Sequence, residues 1–100
     1  MAKNLAPIHP GEIIREEVLA PLDMSVNQLS KAIGVSAPRL NDIVLGRRGI
    51  TADTALRLSR YLGTTAEFWM GLQLNYELRV ARQANMKEIE RSVKAREVAA

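Results

Sequence analysis

Residues 34–46 read GVSAPRLNDIVLG, and the spacing inside this stretch decides the fold. Leu40, Ile43 and Val44 recur at helical intervals and make one apolar stripe, while Arg39, Asn41 and Asp42 fall on the open side. Ser36 is placed to cap the helix, because its hydroxyl can accept from a first-turn amide. Pro38 loses nothing there, since first-turn amides have no intrahelical acceptor in any case. Gly46 stops the helix. The front end carries only Ser36, Ala37 and Pro38, so this helix can bring its backbone close to another surface.

Just upstream, Ser25 followed by Gln28 is a capping box, Leu29 and Ile33 form the buried stripe, and Gly34 supplies the left-handed cap. A short helix over residues 26–33 is expected. Only Gly34, Val35 and Ser36 then separate two helices, which is the tight connection of a helix-turn-helix. In that arrangement the second helix enters the major groove with its N-terminal residues at the base edges, and the first crosses the phosphate backbone.

The candidates for base contacts are therefore Ala37, Pro38, Arg39, Asn41 and Asp42. Ala37 or Pro38 suits a thymine methyl, Asn41 can pair with adenine, and Arg39 can read guanine or bind phosphate. Asp42 is repelled by DNA unless it accepts from cytosine or is neutralised by Arg39 three residues before it, and the Arg39 pair is the expected arrangement. Gln28, Ser36, Arg47 and Arg48 are the candidates for phosphate contacts, which set register without reading sequence.

The flanking segments extend the same pattern. Pro10 opens a helix whose stripe is Ile13, Ile14, Val18 and Leu22, with Pro21 disrupting it, so the helix is expected over about 10–19. Thr51 caps a fourth helix that buries Ala55, Leu58 and Leu62 and ends at Gly63; Thr64 with Glu67 forms a further capping box, and a long fifth helix runs from about Ala66. No period-two strand, hairpin signal or repeat is present. The fold class is all-α: five helices with a helix-turn-helix, as one domain over 1–84, and a charged, partly helical or frayed tail over 85–100.

Helix five is apolar on two sides. Phe68, Trp69, Leu72, Tyr76 and Val80 share one side, placed to close the bundle, and Met70, Leu74 and Leu78 share the other. A 100-residue chain cannot bury such a helix twice, so Met70, Leu74 and Leu78 are expected at a two-fold homodimer interface. The dimer would set two recognition helices about 34 Å apart and require an inverted-repeat, palindromic site in double-stranded DNA.

Composition narrows the remaining classes. Charge is +3 overall, but residues 25–60 hold six Lys and Arg against two Asp and Glu, whereas residues 1–24 hold two against four. Without cysteine there is no disulfide, zinc thiolate or thiol nucleophile, and the chain suits a reducing cytoplasm. The start has no signal-peptide pattern and no apolar run approaches the ~18 residues of a membrane span, so the expectation is a soluble protein with no membrane partner. His9, the single histidine, sits where it can cap or pack a helix start, and Glu12, Glu16 and Glu17 suit the dipole of the first turns. Neither a catalytic set nor a cofactor cradle results; no enzyme activity, metal or cofactor is expected. A purely protein-binding module on the same scaffold is the alternative, and the basic central segment weighs against it.

The run IHPGEIIREEVLAPLDMS followed by GVSAPRLNDIVLGRRGITADTALRLSRYLGTTAEFW resembles HigA-type antitoxins of the xenobiotic-response-element repressor family, over about residues 7–78. The HPGE opening, the GRRGIT loop, the TALRLSRYLGT helix and the EFW start of helix five occur in order. The resemblance implies a lambda-repressor-like bacterial protein that dimerises, represses its own promoter and neutralises a HigB-type ribonuclease toxin in the nucleoid-associated cytoplasm. It also implies that the tail, or the outer surface of helices one and five, docks the toxin. A stand-alone repressor of the same family without a toxin is the alternative. The chain departs from the pattern at Ala37 and Pro38, where relatives often carry long polar side chains, and at Ser30, where alanine is usual. Base readout is therefore expected to be sparse and to lean on DNA shape.

Overall fold

The computed structural model describes residues 6–97 and is helical throughout, with no strand among those residues. The first helix, α1, begins as an α-turn over Pro10–Ile13, widens to π hydrogen bonding over Ile14–Leu19 and closes as an α-turn over Ala20–Leu22. It continues past the boundary expected near residue 19. Pro21 has no N–H and its ring crowds the carbonyl four residues back. The wider turn, in which the Ala20 N–H bonds to Arg15 O, accommodates it without breaking the helix. The wide turn also rotates Leu22 off the expected stripe, and it is 53% exposed. Asp23 ends α1 in the left-handed region at φ 53°.

Helices α2 (Val26–Ile33), α3 (Ala37–Val44) and α4 (Ala52–Leu62) start and stop where the local signals place them. Ser25 N donates to Gln28 Oε1 at 2.8 Å and Gln28 N donates to Ser25 Oγ at 3.1 Å, completing the capping box. Helix α5 (Ala66–Ser92) departs from expectation at its cap. Thr65 accepts from Phe68 N at 3.1 Å, because the Thr64 hydroxyl is engaged by Trp69 Nε1 at 2.8 Å.

The core gathers Ile14, Leu29, Leu40, Ile43, Leu58 and Trp69, each no more than 1% exposed. Burial of that kind contributes about 25 cal/mol per Å² of apolar surface and is the main stabilising term. Helix α5 supplies Trp69 and Gln73 to this core, with Met70 and Leu72 half-buried beside them. Phe68, expected inside, is 48% exposed and lies edge-on to Trp69 at 5.0 Å. Met70, expected on the outer face with Leu74 and Leu78, packs against the core instead, since one residue turns the helix by only about 100° from Trp69. Leu74 and Leu78 do face outward, 58% and 41% exposed. Every described residue from Glu77 onward is exposed, so α5 stands away from the bundle. The radius of gyration is accordingly 17.1 Å, against about 13 Å for a compact chain of this length.

Candidate nucleic-acid interface

The α2–α3 turn is built from three local devices. Gly34 takes φ 73°, a conformation that costs a residue with a Cβ, and its N–H bonds to Ser30 O. Val35 is 8% exposed and anchors the turn in the core. Arg57 of α4 donates from Nη1 to Ile33 O at 3.1 Å, satisfying a carbonyl at the end of α2, while its Nε holds Asp53 at 2.8 Å. Ser30 is 8% exposed, and its hydroxyl donates to Asn27 O at 3.0 Å.

Leu40, Ile43 and Val44 bury the rear of α3, as their spacing requires. Its rear is also braced backbone to backbone by α1. A Cβ placed on Gly11 would sit 1.8 Å from Ile43 O and 2.9 Å from Val44 Cα, so only glycine permits this crossing. With the rear fixed, Pro38, Arg39 and Asn41 are exposed, and Ala37 and Asp42 are half-buried. The Ser36 hydroxyl accepts from Arg39 N at 3.4 Å. A shallow cleft of about 390 Å³ lies between the N-terminal ends of α2 and α3, lined by Ser25, Val26, Asn27, Ala37, Pro38 and Asn41. The N-terminal ends of α2 and α3 border this cleft, and the positive ends of their dipoles favour an anionic backbone.

Asp42 does not pair with Arg39. Its carboxylate faces Arg47 Nη1 at 3.6 Å, because the turn after α3 carries Arg47 back, with Arg47 N bonded to Asp42 O at 2.8 Å. The pair is largely solvated and contributes at most about 1 kcal/mol, but it offsets the one negative charge on this face. The side chains of Arg39 and Arg48 make no ion pair or hydrogen bond among the described residues, and Gln28 and Arg48 are exposed. The sequence-predicted base and phosphate candidates thus lie on α3, at the start of α2 and in the loop after α3.

His9 is the N-cap of α1: its Nδ1 accepts from Gly11 N at 2.9 Å and its ring meets Tyr76 edge-on at 4.8 Å. Burial lowers its pKa below the ordinary histidine value, partly offset by a backbone hydrogen bond at Arg48. That environment is structural, and no group of three or more metal-ligating side chains exists among the described residues. No helix among them is long and apolar enough to cross a membrane. The sequence reading missed Asn27, Arg57, Gly11 and Gln73. Asn27, next to Gln28 at the start of α2, lines the cleft and was open to the same reasoning as Gln28, whereas the others act on partners more than twenty residues away.

A helix-turn-helix family profile matches residues 14–69. Virulence-associated protein I of Dichelobacter nodosus is 55% identical over 82 residues, spanning 81% of this chain and 76% of that protein. The structure of Pseudomonas aeruginosa antitoxin HigA with the higBA promoter superposes with a TM-score of 0.85 at 53% identity, over 88% of this chain and 96% of that one. Antitoxin GraA in complex with its operator superposes with a TM-score of 0.87 at 46% identity, over 99% of each chain.

Proposed function

We propose that this chain, which belongs to the helix-turn-helix family matched over residues 14–69, is a DNA-binding antitoxin and transcriptional autorepressor rather than an enzyme. The observation that carries the reading is the exposed, slim tip of α3, held from behind by the core and flanked by a basic loop. The similar HigA chain is seen with the higBA promoter and the similar GraA chain with its operator.

On this reading α3 enters the major groove tip first. Ala37 and Pro38 approach base edges, Asn41 reads adenine, and Arg39 contacts guanine or phosphate. Asp42, neutralised by Arg47, marks the limit of base contact. Gln28, Ser36, Arg47 and Arg48 hold the backbone and fix register. A homodimer through Leu74 and Leu78 sets two such helices on a palindromic operator. The residues up to 84 form the binding and dimerising unit and 85–100 its charged extension. The antitoxin partner is a ribonuclease toxin of the HigB type, and the site of action is the nucleoid-associated bacterial cytoplasm.

The test is retention of the DNA immediately upstream of the chain's own reading frame, titrated over salt. With six to ten phosphates contacted per dimer, log affinity falls against log salt with a slope of about −5 to −9. Replacing Arg47 and Arg48 by alanine weakens all DNA alike and flattens that slope. A salt-independent response, or no retention, overturns the reading.

A further inference from the structure

The loop between α3 and α4 carries Arg47 and Arg48, and its two halves are held differently. The first half is tied to α3 by backbone bonds, Gly46 N to Ile43 O at 3.0 Å and Arg47 N to Asp42 O at 2.8 Å. The second half is held by a side chain of α5: Ile50 N donates to Gln73 Oε1 at 2.7 Å. Gln73 is 5% exposed, and its amide lies so close against the loop that a Cβ on Gly49 would fall 2.7 Å from its Nε2.

A buried amide is costly unless both ends are bonded. Here both are, because Nε2 donates to Glu77 Oε2 at 2.8 Å, one helical turn further along α5. That second bond also fixes the sense of the first: with Nε2 committed to Glu77, Oε1 must face the Ile50 N–H, and a flipped amide would oppose two donors. An aliphatic side chain could fill the same volume but would leave Ile50 N–H buried and unpaired. The polar choice therefore serves the loop's position rather than core packing. His9 closes the other side, its ring lying 3.9 Å from where a Cβ of Gly46 would be.

We infer that Gln73, oriented by Glu77, is a positioning residue for DNA binding that fixes where Arg47 and Arg48 meet the phosphate backbone. The inference rests on the DNA-binding reading above. It makes α5 a support of the interface, although the reading above assigns no DNA contact to α5.

The experiment uses the full chain and a fluorescein-labelled mixed-sequence duplex of about 30 base pairs, roughly three helical turns, read by anisotropy over a salt series. Gln73→Met is expected to weaken binding about tenfold at low salt and to lower the salt slope by roughly one to two, as the loss of one or two phosphate contacts does. The paired exchange Gln73→Glu with Glu77→Gln keeps an acceptor for Ile50 N–H and a donor between the two side chains, and restores wild-type affinity and slope. On an Arg47→Ala, Arg48→Ala background, Gln73→Met causes no further loss. Unchanged affinity and slope in Gln73→Met, or a loss that adds in full on the alanine background, overturns the inference. If Gln73→Met does not fold, Glu77→Ala, which removes the acceptor that orients the amide, decides: a lowered slope supports the assignment and an unchanged one overturns it. A wild-type chain that fails to bind the duplex sinks the DNA-binding reading itself, which is a separate result.

Discussion

Gly11→Ala is the most demanding perturbation of the scaffold, because it forces a collision between two backbones. The added Cβ would lie 1.8 Å from Ile43 O and 2.7 Å from Ile43 C. Carbon–oxygen contacts settle near 3.3 Å, so α1 and α3 must part by about 1.5 Å, and no flexible side chain is available to yield. Overpacking of a core costs ~1–3 kcal/mol and more where backbone must move; we take ~3–4 here. Alanine in a helix returns about 1 kcal/mol relative to glycine, leaving a net loss of ~2–3 kcal/mol. At about 4–8 °C per kcal/mol for a domain of this size, the melting temperature should fall by roughly 10–20 °C. Differential scanning calorimetry at fixed protein concentration measures it directly. A melting temperature within about 2 °C of wild type, or higher, would show that the crossing is not close-packed and refute the reasoning.

Three further outcomes test other parts of the molecule. Asn41→Ala should relax preference at a single base pair by ~1–3 kcal/mol while leaving binding to mixed-sequence DNA unchanged; equal weakening on all sequences would mean that Asn41 contacts phosphate. Leu78→Asp places a charge on the outer face of α5 and should give a monomer by sedimentation, with operator affinity down at least about tenfold; a persistent dimer would move the interface elsewhere. The His9 pKa is lowered in the folded chain, so the unfolded state binds more protons between that lowered value and about 6.5. The stability that neutral His9 contributes is thus intact above about 6.5 and is lost as pH falls through the folded value. Melting temperatures on the acid side should drop more for wild type than for His9→Asn, which keeps an N-cap acceptor; parallel curves would discard the assignment.

The helix limits were legible wherever a cap depends on its own next three residues, as at Ser25, Ser36 and Thr51. The recognition helix was legible for the same reason: Leu40, Ile43 and Val44 can face inward together in only one orientation, which leaves Pro38, Arg39 and Asn41 outside. Local signals failed where two candidates compete for one role or where distant packing decides. Thr64 and Thr65 are equivalent caps until Trp69 takes the Thr64 hydroxyl. Pro21 reads as a helix end, and only the π-turn before it lets the helix continue. Arg47 displaced Arg39 as the partner of Asp42 because the turn after α3 brings it back, which charge spacing along one helix does not encode. Gly11 and Gln73 had no local signature at all, since each is explained by a contact with a segment more than twenty residues away.

The outer half of α5 carries a consequence of its own. From Glu77 to Ser92 it extends roughly 24 Å with no core to lean on, and a helical run of that length in water lies close to the midpoint between helix and coil. Its helicity is then set by company rather than by sequence. On the dimer reading above, diluting the chain until subunits separate should unwind this arm while the bundle persists, so far-ultraviolet ellipticity becomes a gauge of assembly, read without any label.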